Sequence, residues 1–389
     1  MDRGGEASRR TTRGGWPRGW LVAVGCAVAL AAVTKVTSFD TWVHLSLGRW
    51  ISETGRVPFH NLLSHTQGGR ATVDHQWLFQ LGLYRLWELV GVGGLVVIKA
   101  VVVGVAFGVV AATARRKGAR LWATVSVVLL AGYAARFRFS LRPQVVSFLL
   151  LATYLYVLWV WRLGASRWLL VSLLPLQLLW ANLHGAAVMG CGVTLAFAAG
   201  ESVRALAGAR LGDVVPRPRG WAELGALWAV GAALVAVSLV NPNGLRVLAE
   251  PFALAEVQRA ARLKAFLADR AALPLSELAG RHAFFGVLAV LSLASAVAAL
   301  VRRDVTEAGL AAGLLVAALH SQRFVGLFAV GAAPVVARNA SDVARLLGAA
   351  SAGRSRWRGW RAVMTGVVLL GVLEVAWRGL WGQQPTGLG

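Results

Sequence analysis

Asp40 and His44 lie four residues apart in the stretch Phe-Asp-Thr-Trp-Val-His, just after an apolar run that closes near Val33. On a helix that spacing puts both side chains on one face. A carboxylate beside an imidazole at a membrane surface is equipment for general base catalysis on an acceptor hydroxyl or amine. Partial desolvation by lipid and aromatic side chains would raise the carboxyl pKa toward a working value. A purely architectural reading stands beside this one: Asp40 as N-cap of a helix that begins where the chain leaves the bilayer, with His44 an ordinary interfacial histidine. Asp74-His75-Gln76-Trp77 repeats the acid–histidine theme, and Asp74 is again an N-cap candidate. Two carboxylates would offer oxygen ligands to a divalent cation. No fixed-spacing metal motif accompanies them, so neither a metal nor any other cofactor is assigned.

Arg136-Phe-Arg138-Phe-Ser-Leu-Arg142-Pro143 sets three arginines in seven positions between two apolar runs. Planar guanidinium forks match phosphate oxygens, so the segment reads as a phosphate or pyrophosphate clamp. The alternative is arginines snorkelling to lipid headgroups. His320-Ser-Gln-Arg323 repeats the pattern later in the chain. Asn182-Leu-His184-Gly185 interrupts an apolar stretch, and polar groups at such a depth face a cavity or a partner helix. Asn241-Pro-Asn-Gly244 has the composition of a turn. The binding candidates are therefore His44, Asp74, His75, Arg136, Arg138, Arg142, Asn182, His184, His320 and Arg323, with Asp40 as the catalytic candidate.

The elements that must carry these residues are membrane helices. Of 389 residues, 57% are hydrophobic and only 15% charged, well under the roughly 25% charged of soluble domains. Runs such as Leu95 to Ala114, Val145 to Trp161 and Phe284 to Val301 have the length of a bilayer-spanning helix. They are continuous rather than alternating, which excludes a β-barrel. The net charge of +23 sits in short loops between apolar runs, the pattern of the positive-inside rule rather than of nucleic-acid binding. Cys26 and Cys191 both lie in apolar runs and imply neither a disulfide framework nor a metal site. Arg9, Arg10, Arg13 and Arg18 ahead of the run Trp20 to Val33 read as a signal anchor.

The expected fold is all-α: a polytopic bundle of about eleven spans, beginning near Trp20, Gly91, Leu121, Pro143, Trp168, Gly185, Trp221, Ala283, Thr306, Phe324 and Trp360. Residues 1–19 form a basic cytoplasmic N-terminus, 20–381 the membrane domain and 382–389 a tail. Inner loops hold Arg115, Arg116, Lys117, Arg120, Arg162, Arg167, Arg204, Arg210, Arg217, Arg219, Arg302 and Arg303. They read as ordinary topogenic charge. Residues 38–90 form a long first outer loop and 241–282 a second. All seven histidines (His44, His60, His65, His75, His184, His282 and His320) fall in outer segments. Thr41 to Thr54 suits a helix lying in the interface, stopped by Gly55 and Pro58. Asp74 to Leu89 reads as a second interfacial helix, with a twelfth span as the alternative. Glu250 to Leu278 reads as an amphipathic helix on the outer surface. Lys99 and Glu374 are the only obvious ionisable residues deep in spans.

Phe39-Asp40-Thr-Trp-Val-His44-Leu-Ser-Leu-Gly48-Arg-Trp-Ile51, then Gly55-Arg-Val-Pro58 and Asp74-His75-Gln-Trp77-Leu-Phe-Gln80, resemble the GT-C superfamily of integral membrane glycosyltransferases. Arg142-Pro143, Asn182-Leu-His184-Gly185 and Asn241-Pro-Asn-Gly244 look like segments of a bacterial branch near the dolichyl-phosphate-mannose-protein mannosyltransferases. The resemblance runs in order over about the first 250 residues. It departs from the pattern of adjacent acidic residues in the first loop, since Thr41 follows Asp40. The resemblance implies a lipid bilayer and a polyprenyl-phosphate-linked sugar donor as partners. It also implies Asp40 as general base, and a bacterial inner-membrane protein with a cytoplasmic N-terminus whose active face is outside. Two other classes remain open: a transporter or flippase for a lipid-linked or anionic solute, and a non-catalytic partner in envelope polysaccharide assembly.

Overall fold

A computed structural model describes residues 19–65, 68–69, 71–207, 219–246, 275–278 and 282–350. Its helices, in chain order, are α1 (Trp20–Ala31), α2 (Phe39–Thr54), α3 (Trp77–Arg116), α4 (Leu121–Ala135), α5 (Gln144–Arg162), α6 (Trp168–Val171), α7 (Leu173–Leu183), α8 (Val188–Leu206), α9 (Trp221–Ser238), α10 (Ala283–Val301), α11 (Val305–His320) and α12 (Val325–Ala350). No strand occurs among the described residues; a single bridge joins His60 to Ala71. The protein is thus an all-α membrane protein. Six stretches are long and apolar enough to cross a bilayer: Trp77–Arg116, Gln144–Arg162, Gly185–Leu206, Trp221–Ser238, Ala283–Val301 and Gln322–Leu346. Trp20–Ala31, Trp168–Leu183 and Val305–His320 are shorter apolar helices. The start expected near Trp360 lies outside the described residues. So does the Glu250–Leu278 helix, apart from its final turn at Leu275–Leu278.

The segment expected to form the first outer loop ends at a break inside α3. Gly91 has φ 64° and ψ −173°, a backbone state that a side chain would strain. The helix that begins at Trp77 therefore changes course where the sequence places the start of a span. Along α2, Thr41, His44, Leu45, Gly48 and Ile51 are buried, the stripe of an amphipathic helix. Phe39, Trp42 and Val43 remain exposed. The buried stripe lies on α3. A Cβ at Gly48 would collide with the carbonyl oxygen of Gln80, so only glycine lets the two helices approach this closely. The threonine hydroxyl of Thr41 donates to the Leu141 carbonyl at 3.0 Å, which ties the start of α2 to the arginine segment after α4.

The opposite end of the bundle differs from the expectation of ordinary topogenic charge. Lys117, Arg162 and Arg204, at the C-terminal ends of α3, α5 and α8, are buried. They meet Glu201 of α8, Glu307 of α11 and Asp304 just before α11. Arg204 Nη1 lies 2.7 Å from Glu201, Arg162 Nε 3.2 Å from Glu201, Arg162 Nη2 2.8 Å from Asp304, and Lys117 Nζ 3.0 Å from Glu307. Thr306 Oγ1 donates to Glu201 at 2.8 Å, and Asp304 accepts from the Glu307 amide to cap α11. Three buried cations thus meet three anions, with Arg302 Nη2 also 3.7 Å from Glu307 at the edge of the cluster and the Trp159 ring under Lys117 and Arg162. Isolated charges cost several kcal/mol to bury, so only this mutual pairing keeps them inside.

Candidate active site

The other end of the bundle gathers most of the outer residues singled out above. Ser38, not Asp40, is the N-cap of α2, and no side-chain cap bond forms there. The capping explanation of Asp40 is thereby removed. Its carboxylate instead pairs with the Arg142 guanidinium, 102 residues away in sequence. Asp40 sits in the first turn of α2, where the positive end of the helix dipole favours a carboxylate. With 53% of its side chain exposed, it is open at the surface rather than shielded by neighbouring aromatic side chains.

His44 lies beneath this pair, one helical turn on. The Phe79 ring stands edge-on to it at 5.5 Å, and its buried Nδ1 has no hydrogen-bond partner among the described residues. Burial lowers its pKa to about 4; the Asp40 carboxylate pulls upward against this, while Arg142 and His75 push further down. The ring is therefore neutral at physiological pH. An unfolded chain takes up this proton near pH 6.5, so the folded state loses stability as pH falls from 6.5 toward 4, with little further loss below. A shift of this size corresponds to roughly 3 kcal/mol. We expect the apparent melting temperature in detergent to drop between pH 7.5 and 4.5, and His44→Gln to flatten that drop. A wild-type melting temperature unchanged across this range would contradict the assignment.

His184 connects the α7–α8 corner to the site. The indole Nε1–H of Trp180 donates to Ser147 Oγ at 2.8 Å, and Ser147 Oγ lies 2.7 Å from His184 Nδ1. An indole N–H only donates, so Ser147 accepts from it, and the contact of the same hydroxyl with Nδ1 fixes the orientation of the His184 ring. Burial first, then electrostatic repulsion within a cluster that includes Arg323 and Arg138, holds its pKa well below the ordinary value. His75 packs its ring on Gly185, where a Cβ would lie 2.9 Å from its Cδ2, and meets the Gln76 amide at 3.0 Å. Asp40, His44, His75, Arg138, Arg142, His184 and Arg323 thus share one electrostatic neighbourhood.

Arg138 and the remaining candidates make further bonds of their own. Asp74 is buried with its Oδ1 accepting from the Gln76 amide and from Gln80 Nε2, at 3.0 and 3.1 Å; these bonds shape the turn into α3. Arg138 is buried and bonded to Gln144, Nη2 to Oε1 at 3.0 Å. Arg136 turns outward onto the Tyr133 ring at 4.4 Å, and the neighbouring Phe137 meets His282 at 5.0 Å. Asn182 is architectural: its Oδ1 accepts from Trp77 Nε1 at 2.9 Å and Asn241 Nδ2 at 3.1 Å, and its Nδ2 donates to the Val240 carbonyl at 3.0 Å. The Asn241 turn accordingly fastens α9 to the start of α3, and Asn243 Nδ2 donates to the Asp74 carbonyl at 2.9 Å. His320 is exposed at the end of α11. No group of three or more metal-ligating side chains occurs among the described residues. Sequence reasoning passed over Ser147 and Trp180, which sit in ordinary-looking apolar helices. Only the three-dimensional contact with His184 identifies them.

No protein-family model matches the sequence, and no curated protein matches it. Solved structures do. The archaeal oligosaccharyltransferase AglB from Archaeoglobus fulgidus, in complex with an inhibitory peptide and a dolichol-phosphate, superposes with a TM-score of 0.58 at 15% identity over 92% of this chain. The Archaeoglobus fulgidus oligosaccharyltransferase tethered with an acceptor peptide containing the NVT sequon gives 0.58 at 13% identity over 95%. The chain spans 55% and 56% of the length of those two proteins. At that identity the likeness is one of fold alone.

Proposed function

We propose that this protein transfers a sugar, with inversion, from a polyprenyl-phosphate donor to an acceptor on the non-cytoplasmic face of a bacterial inner membrane. The carrying observation is the Asp40–Arg142 pair at the edge of a cluster containing Arg138, Arg323, His75 and His184. Its guanidinium groups suit a phosphate, and the Asp40 carboxylate suits a base. In the free protein Arg142 holds Asp40. A donor phosphate would compete for the guanidinium, since fork-shaped pairing to phosphate is strong, and so release the carboxylate next to the acceptor. Asp40 then takes the acceptor hydroxyl proton as the acceptor oxygen bonds to the anomeric carbon. The bond from that carbon to the phosphate oxygen breaks on the opposite side, and polyprenyl phosphate departs against Arg142, Arg138 and Arg323. Electrostatic stabilisation of that leaving group carries much of the rate. The Nε2 of His184, the ring nitrogen turned away from Ser147, is a further contact for donor or acceptor. The fold likeness to proteins solved with a dolichol-phosphate and with an acceptor peptide supports this reading.

The test is transfer of radiolabelled sugar from synthetic polyprenyl-phosphate donors by membranes containing the protein, against membranes lacking it. Label accumulating in vesicles with no covalent product would instead indicate a transporter. A finer expectation concerns His184. Ser147→Ala removes the group that holds its ring in place, and we expect kcat to fall about tenfold, the effect of one hydrogen bond worth roughly 1.4 kcal/mol, with KM for the donor little changed. Ser147→Thr keeps the hydroxyl and should keep the activity; equal losses in both variants would argue for a packing defect.

A further inference from the structure

Two cavities on the surface of the described residues meet at one residue, Pro242. The first is a groove of about 680 Å³ between the start of α3 and the ends of α7 and α9, lined by Trp77, Leu178, Leu179, Leu239 and Val240 with Pro242 at its end. Leu178, Leu179 and Val240 are exposed there, on the outside of helices that face lipid. The second, of about 500 Å³, lies past the end of α2 and is lined by Trp50, Arg56, Phe59 and His60, again with Pro242. Apolar surface therefore gives way to cationic surface along one continuous path. Trp50 and Trp77, one in each cavity, have the amphipathic rings that settle at headgroup depth. Arg56 is exposed and has no acidic partner among the described residues; the nearby Glu53 is taken by Arg49 at 2.7 Å.

We infer that this paired cavity binds an anionic phospholipid, with an acyl chain in the α7–α9 groove and the phosphate headgroup on Arg56 beside His60. Charge selects the occupant. A guanidinium without a carboxylate partner favours a lipid of net negative charge over a zwitterionic one, whose own cation opposes Arg56. The position separates this lipid from the reacting donor. From Asp40 to Thr54 is fourteen residues of helix, roughly 21 Å at 1.5 Å per residue, so a headgroup on Arg56 lies far from the Asp40–Arg142 pair. The inference thus stands apart from the proposed transfer reaction. Its consequence is architectural: the lipid would brace the Asn241–Pro242 turn against the first outer loop.

The experiment is native mass spectrometry of the full chain released from neutral detergent with equimolar phosphatidylglycerol and phosphatidylcholine of the same acyl chains. The expected result is retention of phosphatidylglycerol in at least fivefold excess. Arg56→Gln should abolish the preference, and Leu239→Trp, which fills the groove, should reduce adducts of both lipids. Melting curves of both variants check that they are folded. Equal retention of the two lipids by the wild type, or a preference that survives Arg56→Gln, overturns the proposal. So does displacement of phosphatidylglycerol by polyprenyl phosphate in an Arg56-dependent way, which would return the site to the donor.

Discussion

Asp40→Asn is expected to reduce sugar transfer by about 10²- to 10⁴-fold, the range supplied by a positioned general base, while leaving the melting temperature nearly unchanged. The two halves of this expectation come from the same geometry. Asp40 is half exposed and makes no side-chain cap bond, and it pairs with a guanidinium that is itself partly open. Exposed pairs contribute about 0–1 kcal/mol, so the fold does not depend on it. The proposed chemistry does depend on it, because Asp40 is the group that takes the acceptor proton. Asp74 is buried in its own turn and bonded to Gln76 and Gln80. Asparagine keeps the shape and can still bond to Arg142 through its oxygen, but it cannot hold the acceptor proton. Undiminished transfer by a well-folded Asp40→Asn protein would remove the proposed base.

Glu201→Ala should show the reverse pattern. This carboxylate is fully buried and serves Arg162 at 3.2 Å, Arg204 at 2.7 Å and Thr306 at 2.8 Å. Removing it leaves two buried guanidinium groups with only Asp304 between them. Breaking a buried pair by deleting one partner costs about 3–5 kcal/mol, most of it the desolvation of the charge left behind. The apparent melting temperature in detergent should fall accordingly, whereas turnover per folded molecule should persist, since the cluster is at the opposite end of the helices from Asp40. Glu201→Gln, which still accepts hydrogen bonds, should lose less. A melting temperature unchanged in Glu201→Ala would mean that water or lipid headgroups already solvate these arginines.

The amino-acid sequence by itself determined the class of the protein and the position of its helices. Continuous apolar runs are a local signal, because every peptide group in a bilayer must find its partner within its own helix. For that reason the starts near Trp20, Leu121, Trp168, Trp221 and Ala283 agree with the helices observed. The span start expected near Gly91 falls on the break inside α3, but the left-handed backbone at that residue was decided by the structure. The interest of Asp40, His44, Arg142 and His184 could also be read from residue type and place in the chain. What those side chains touch could not. Arg136 and Arg138 look equivalent in sequence, yet they lie two residues apart in a three-residue-per-turn helix and point different ways, one onto Tyr133 and the other inward to Gln144. The pairing of Asp40 with Arg142 joins elements 102 residues apart and depends on the close approach of α2 and α3 at Gly48. The Trp180–Ser147–His184 relay and the Glu201 cluster likewise exist only once helices pack. In the sequence, Arg162 and Arg204 are indistinguishable from charges that set topology; tertiary structure decided that they are buried, because only packing brings Glu201 and Asp304 within reach to offset the cost of their desolvation.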